Sequence, residues 1–259
     1  MELLRRALRY RLDAVVLVAG VALVGAHLFG LRAGELLDLI MGAAGALVLG
    51  LLAALTVEAV LRPVTTAEDL REACGQEPLV VPGVSGEQHP AEALAPAVAE
   101  LVDTAGGRCH VGGLRPGSGK STLAAALALA AAGRFGSARL LDADFQRTAE
   151  TLWAQLLPPG GGGVELQRVR LRDELEAALA GPVPEGVFEV CDHGPAEPEE
   201  LAALAASGRV VLVVAPRSAR REDLRAVRSA FAAAGAGFTV ILNLGGGPAP
   251  TGNYYRRPA

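Results

Sequence analysis

Gly112-Gly-Leu-Arg-Pro-Gly-Ser-Gly-Lys-Ser-Thr122 is the stretch of sequence that decides the fold. A short strand, Arg108 to Val111, leads into it, and an uninterrupted run of good helix formers, Leu123 to Ala132, follows it. In such a unit the glycines let backbone N–H groups point inward at phosphate groups, and the helix N-terminus adds partial positive charge. Lys120 is expected to reach the β- and γ-phosphates of a nucleotide, and the Ser121 hydroxyl to bind magnesium. The sequence therefore predicts a P-loop nucleotide-binding domain.

Two further apolar runs end in acidic residues. The first, Ala138 to Asp144, carries Asp142 and Asp144, and strand alternation predicts both carboxylates on one face at its carboxyl end. The second, residues 187–192, ends in Asp192, which is typical of a Walker B strand whose aspartate holds magnesium. Two more apolar runs, 209–216 and 238–243, flank an amphipathic helix at 221–234. Together these runs predict an α/β fold of the P-loop NTPase type, with a mostly parallel sheet flanked by helices.

The N-terminal part of the chain has a different character. Two uncharged apolar runs, Ala14 to Leu31 and Leu39 to Val57, are separated by a short turn. The first would be roughly 27 Å long as a helix, close to the thickness of a bilayer's hydrocarbon core. Arginines precede the first run and Arg62 follows the second, so the positive-inside bias places both chain ends in the cytoplasm. We expect a two-pass transmembrane hairpin in the plasma (inner) membrane. The alternative is a buried helical hairpin.

Four segments follow from these patterns: a transmembrane hairpin at 1–61, a juxtamembrane connector at 62–87, the P-loop domain at 88–244 and a Gly/Tyr tail at 245–259. In the connector, Thr65 and Glu68 form a capping-box pattern that predicts a helix over 66–74. Farther along, Pro96 predicts a break or kink in an Ala-rich helix over 87–104. The glycine-rich tail is expected to be disordered.

Charge and cysteine usage narrow the range of partners. The net charge of −4 gives no reason to expect a nucleic-acid partner. The three cysteines, Cys74, Cys109 and Cys191, lie far apart and fit neither a disulfide framework nor a zinc spacing, so reduced thiols are expected. His110 and His193 each stand alone near the predicted site, and structural roles are expected for both.

The motifs at 116–122, 141–144 and 190–192 together resemble those of the bacterial tyrosine kinases. These kinases belong to the MinD/ParA class of P-loop proteins and act in capsule and exopolysaccharide export. Their loop is commonly PGxGKST without the leading glycine, their Walker A′ strand ends in D-x-D, and their chains end in a glycine- and tyrosine-rich tail. The connector from Pro63 is also similar to the segment that joins the family's second membrane helix to its kinase domain.

This resemblance implies an ATP- and Mg²⁺-dependent tyrosine autokinase that forms homo-oligomers and works with the polysaccharide synthesis or export machinery. Asp142 would accept the tyrosine proton, and Asp144 and Asp192 would complete the magnesium site with Ser121. The acceptors would be Tyr254 and Tyr255 of a neighbouring protomer. The predicted catalytic residues are Lys120, Asp142 and Asp144. The predicted nucleotide-binding residues are Pro116, Gly117, Ser118, Gly119, Lys120, Ser121, Thr122 and Asn243.

Three departures from the family pattern leave two alternatives open. The helix before the loop lacks the family's Glu-x2-Arg-x2-Arg motif, Asp144 is followed by Phe-Gln-Arg, and Asp192 is followed by His-Gly-Pro. One alternative is a MinD/ParA-like ATPase that switches partner binding without phosphorylating anything. That reading leaves the tyrosine tail without a role. The other is a pseudokinase-like regulator that binds nucleotide and couples it to a membrane partner.

Overall fold

A parallel sheet of seven strands forms the centre of the computed structural model, which describes residues 45, 48, 50, 63–83, 89–104, 107–145 and 152–245. The strands lie in the order β1-β7-β6-β2-β5-β3-β4. They are β1 (Leu79–Val81), β2 (Arg108–Gly113), β3 (Ala138–Ala143), β4 (Val164–Arg168), β5 (Phe188–Pro195), β6 (Arg209–Val214) and β7 (Phe238–Asn243). The helices are α1 (Ala67–Cys74), α2 (Pro90–Thr104), α3 (Lys120–Phe135), α4 (Leu152–Leu156), α5 (Arg172–Ala180), α6 (Pro198–Leu204) and α7 (Arg221–Ala233). The predicted α/β fold with a parallel sheet is confirmed.

Helices cover both faces of the sheet and enclose the two larger apolar cores of the described residues. On one face, α2, α3 and α4 pack against β2, β3 and β5 through small aliphatic side chains such as Ala124, Ala128 and Leu140. On the other face, α1, α6 and α7 pack against β6 and β7, with Phe231 and Leu212 fully buried. Because successive side chains of a strand point to opposite faces, each central strand contributes to both layers.

Helix α3 follows the phosphate loop directly and is longer than the sequence predicts. It begins at Lys120, runs through Gly133, where the sequence predicts its end, and stops at Gly136. Gly133 is tolerated because a glycine inside a helix costs only about 1 kcal/mol relative to alanine. Gly136 instead takes a positive φ of 85°, the left-handed conformation that commonly closes helices at glycine.

Residues 63–81, predicted as a connector, pack into the sheet unit. The chain divides into two units, Met1–Arg62 and Pro63–Ala259, and β1 pairs with β7 in the second. The capping box of α1 lies one residue later than predicted, because Thr66 and Asp69 form it rather than Thr65 and Glu68. Asp69 also accepts a hydrogen bond from Arg221 at the start of α7.

The hydrogen bonds around Asp69 shift its acidity. Burial by itself would raise the pKa of this carboxyl, but hydrogen bonds from Thr65, Arg221 and Thr66 outweigh it and lower the pKa to about 2. The folded protein therefore holds Asp69 in its charged form, joining α1 to α7.

Helix α2 runs continuously from Pro90 to Thr104, so the helix is not broken at Pro96, and the kink expected there as the other outcome stays a prediction. No helix among the described residues combines the length and apolar character needed to cross a bilayer. The predicted spans at 14–31 and 39–57 lie outside those residues, apart from 45, 48 and 50, and the tail from 246 onward lies outside them as well.

Candidate nucleotide-binding and catalytic site

The loop between β2 and α3 owes its shape to glycines with positive φ. Gly117 and Gly119 have φ values of 77° and 85°, a region that other residues adopt only with strain. A Cβ on Gly119 would stand 2.0 Å from Nδ2 of Asn243, and one on Gly113 would stand 2.8 Å from the carbonyl oxygen of Val213. The loop thus needs glycine both for its conformation and for its close approach to β6 and β7.

Asn243 holds this loop in place from the end of β7. Its amide nitrogen Nδ2 donates to the carbonyl oxygen of Ser118 at 2.9 Å, and its Oδ1 accepts from the N–H of Gly245 at 3.1 Å. Asn243 is 4% exposed, and its bond to Ser118 is buried. Asn243, predicted to bind nucleotide, therefore contacts the phosphate loop itself.

Lys120 and Ser118 are the buried polar side chains of the loop. The ammonium Nζ of Lys120 donates to the carbonyl oxygen of Arg115 at 3.1 Å, so the side chain folds back across the loop. Ser118 is 1% exposed, and its hydroxyl has no hydrogen-bond partner among the described atoms. An unsatisfied buried hydroxyl costs about 1–3 kcal/mol, which a phosphate oxygen accepting from it would offset. The loop's donor set fits a nucleotide phosphate group, with Pro116 beside it and Ser121 and Thr122 in the first turn of α3.

The three predicted carboxylates lie on the strands beside the loop. Asp142 of β3 and Asp192 of β5 are partners in strand register, and Asp192 is also paired with Val111 of β2. Asp144 follows the end of β3, and a Cβ on Gly194 would stand only 2.8 Å from its Oδ1. The structure therefore brings all three acids to the carboxyl edge of the sheet, where the phosphate loop begins. Carboxylate and hydroxyl oxygens are the ligands that Mg²⁺ prefers.

Trp153, the single tryptophan of the chain, is a site residue that the sequence analysis missed. Its indole Nε1 donates to Oδ2 of Asp142 at 2.6 Å, and the ring is 2% exposed in the core below α3. Because a buried tryptophan needs an acceptor for its N–H, Trp153 itself was the one signal in the sequence for a polar neighbour. The bond fixes the orientation of the Asp142 carboxylate.

A buried ion pair fixes the start of the strand that carries the loop. Arg108 of β2 pairs with Glu189 of β5, the residue that interrupts an otherwise apolar strand. The same guanidinium donates to the carbonyl oxygens of Leu179 and Gly181 at 2.8 and 3.1 Å, which closes the C-terminus of α5. Because all of these groups find partners, Glu189 has a structural role.

A cavity of about 720 Å³ opens beside the carboxylates, between α5 and α6. Leucines of both helices form its apolar wall, including Leu175, Leu179 and Leu204. Its charged lining residues are Asp144, Glu176, Glu199, Glu200 and Arg172. The acids outnumber the single arginine, so the cavity favours an apolar group with positive charge next to it.

No protein-family model matches the sequence, and no curated protein matches it. Among solved structures, the chain is similar to the chimerical protein CapA2B2, with 16% identity and a TM-score of 0.52 over 69% of this chain and 98% of that one. It is similar to the BceF tyrosine kinase domain, with 16% identity and a TM-score of 0.52 over 70% of this chain and 99% of that one. The kinase domain of Escherichia coli tyrosine kinase ETK matches with 15% identity and a TM-score of 0.49, over 74% of this chain and 100% of that one. The predicted resemblance to tyrosine kinases of this class is confirmed at the level of the fold.

Proposed function

We propose that this chain is an ATP-dependent protein-tyrosine kinase that phosphorylates its own C-terminal tail. The observation that carries the proposal is the meeting of a glycine-built phosphate loop with Asp142, Asp144 and Asp192 at one edge of the sheet. The similarity in fold to the BceF tyrosine kinase domain supports it.

Each residue of the site has its own role in the proposed phosphoryl transfer. Lys120 and the backbone N–H groups of the loop would hold the phosphates of ATP, and Ser121, Asp144 and Asp192 would hold Mg²⁺. Bound ATP supplies the phosphoryl group. Asp142 would take the proton of the acceptor hydroxyl as the tyrosine oxygen bonds to phosphorus and the bond to the leaving ADP oxygen breaks. Trp153 would keep the Asp142 carboxylate oriented during that transfer.

The acidic cavity beside Asp144 supports the tail as the acceptor. Tyr254 and Tyr255 are followed by Arg256 and Arg257, so an aromatic ring and a pair of positive charges arrive together. The leucine wall of the cavity suits the ring, and its three glutamates suit the arginines. We propose that the tail of one protomer enters the cavity of another within a homo-oligomer.

We further propose that residues 1–61 anchor the chain in the plasma membrane as a two-pass hairpin, with both termini cytoplasmic. There the kinase would regulate capsule or exopolysaccharide synthesis or export. Membrane fractionation of the full chain and of a chain that starts at residue 62 tests the anchor. Recovery of both proteins in the soluble fraction would exclude it.

A MinD/ParA-like ATPase is the second candidate, and the Asp142–Trp153 bond favours it. The indole N–H of Trp153 occupies Oδ2 of Asp142, one of the two oxygens that could take a proton from an acceptor hydroxyl. A nucleotide-binding regulator without activity is the third, because the residues after Asp144 and Asp192 differ from the kinase pattern.

A mixing experiment separates these candidates. One partner is a chain that ends at residue 245 and keeps its active site, and the other carries Lys120→Ala and keeps its tail. We expect Mg-ATP-dependent phosphotyrosine on the Lys120→Ala chain, and none when Tyr254 and Tyr255 of that chain are changed to Phe. ATP hydrolysis without phosphotyrosine would favour the ATPase, and nucleotide binding without either would favour the regulator.

A further inference from the structure

Two histidines and a cysteine meet on the face of the sheet opposite to α3. His110 of β2 and Cys191 of β5 are partners in strand register, and His193 lies two residues beyond Cys191 on the same face. The ring nitrogens Nδ1 of His110 and Nε2 of His193 are 3.0 Å apart. The ligand atoms of all three side chains lie within 4.8 Å of one another, and all three residues are buried.

The hydrogen bonds of Ser207 favour one tautomer of His110. Ser207 Oγ donates to the carbonyl oxygen of Leu204 at 3.1 Å, and His110 Nε2 lies 3.0 Å from the same Oγ. In the tautomer in which Nε2 of His110 donates to Ser207, the lone pair of His110 Nδ1 faces Nε2 of His193, with which it forms a hydrogen bond. A metal-binding histidine is commonly held in this way, with its outer nitrogen donating to a neighbouring oxygen.

His193 connects the cluster to the neighbouring cavity. His193 and Ser207 both line the cavity between α5 and α6, whose charged residues are mostly acidic. An ion can thus approach through that cavity, and a fourth ligand such as water has a place on the same side. Three protein ligands with one open position are typical of zinc sites that exchange a ligand.

We propose that His110, Cys191 and His193 form a binding site for Zn²⁺, distinct from the proposed magnesium ligands Ser121, Asp144 and Asp192. Imidazole nitrogen and thiolate sulfur are the donors that Zn²⁺ takes in proteins, whereas Mg²⁺ takes oxygen. Because successive residues of β2 point to opposite faces of the sheet, their neighbours show on which face His110 lies. Cys109 and Val111 pack in the core with α3, and Gly112, on the same face as His110, packs against Leu201 of α6.

A bound ion would join the two strands that build the nucleotide site. β2 leads into the phosphate loop, and Asp192 of β5 lies between Cys191 and His193 in the chain. The ion would therefore fix the spacing of these strands at the edge where the phosphate loop begins.

In the first test, the wild-type full chain is loaded with zinc in the presence of excess Mg-ATP. Metal analysis gives its zinc content, and X-ray absorption identifies the ligand atoms. We expect one zinc per chain, with one sulfur ligand at about 2.3 Å and nitrogen ligands at about 2.0–2.1 Å. Less than stoichiometric zinc, or a shell of oxygen and nitrogen without sulfur, would overturn the proposal. This measurement does not depend on the folding of any variant.

Cobalt titration of variants provides the second test, because a thiolate bound to Co²⁺ gives a charge-transfer absorption band. Cys191→Ser should abolish the band, whereas the matched control Cys109→Ser, in the neighbouring strand but on the other face, should keep it. Ser207→Ala should keep the band and weaken metal affinity about 10- to 100-fold, the usual effect of losing an outer hydrogen bond to a ligand. A band that persists in Cys191→Ser, or that is lost equally in Cys109→Ser, would contradict the assignment.

Discussion

Substitution of Gly119 by Ala should destabilise the protein more than substitution of Gly136 by Ala. These glycines flank α3 at its two ends, and both have a φ of 85°. A Cβ on Gly119 would meet Nδ2 of Asn243 at 2.0 Å, whereas a Cβ on Gly136 would have no atom within 4 Å. Alanine at either position would therefore have the same backbone strain, but only alanine at position 119 would clash with a neighbouring side chain.

The expected losses of unfolding free energy follow from the backbone strain and from the contact with Asn243. A left-handed conformation costs an alanine about 1–2 kcal/mol, and this cost applies to both variants. In Gly119→Ala the Asn243 amide must also move, which breaks its bonds to the Ser118 carbonyl and the Gly245 N–H. At about 0.5–1.5 kcal/mol for each bond, the additional loss is about 1–3 kcal/mol. The free energy of unfolding should fall by about 2–5 kcal/mol in Gly119→Ala and by about 1–2 kcal/mol in Gly136→Ala.

Urea unfolding followed by circular dichroism measures both losses, and ATP titration reports on the loop. We expect Gly119→Ala to weaken ATP binding and Gly136→Ala to leave it unchanged. Placing Gly119→Ala in an Asn243→Ala background should reduce its cost to that of Gly136→Ala, because the contact is then absent. Equal losses for the two glycine variants in the wild-type background would refute the proposed packing of Asn243 on the loop.

Two further perturbations test the site and the α1–α7 contact. Trp153→Phe keeps a buried aromatic ring but removes the donor to Asp142 and part of the indole. The free energy of unfolding should therefore fall by at least about 1.5–3 kcal/mol, and phosphoryl transfer should slow more than ATP affinity falls. Unchanged stability would contradict the hydrogen bond. Asp69 has a folded pKa of about 2 against an ordinary value of 3.8, so its contribution to stability is present above the ordinary value and is lost as the pH falls towards 2. The difference in unfolding free energy between wild type and Asp69→Asn should shrink over that range, and a difference that does not depend on pH would contradict the assignment.

Elements with strong apolar patterns could be predicted from the sequence, and weakly patterned ones could not. β7 has the predicted bounds of 238–243, because its apolar run is continuous and buried. β4 was not predicted, since Val164–Arg168 carries three polar residues in five and lies half exposed at the edge of the sheet. A run of glycines at 160–163 precedes it and gave no strand signal.

Contacts that depend on strand register were beyond the sequence analysis. His110 and His193 are separated by 83 positions and meet only because β2 and β5 are neighbours in a particular register. The cysteine spacing gave no zinc pattern for the same reason. By contrast, the phosphate loop and its acids could be predicted, because their chemistry lies within short segments at strand ends. The roles assigned to Lys120, Asp142 and Asp192 stay predictions.

The end of β7 determines where the tail leaves the sheet. The N–H of Leu244 donates to the carbonyl oxygen of Val81 at 2.9 Å, and Asn243 contacts the phosphate loop, so the tail starts beside its own protomer's site. At roughly 3.3–3.6 Å per residue, the chain from Gly245 to Tyr254 spans at most about 32 Å. For a tether of this length, the effective concentration at its end would be on the order of millimolar. Transfer between protomers can therefore dominate only where neighbouring sites are present at a comparable local concentration, as they are within an assembled oligomer.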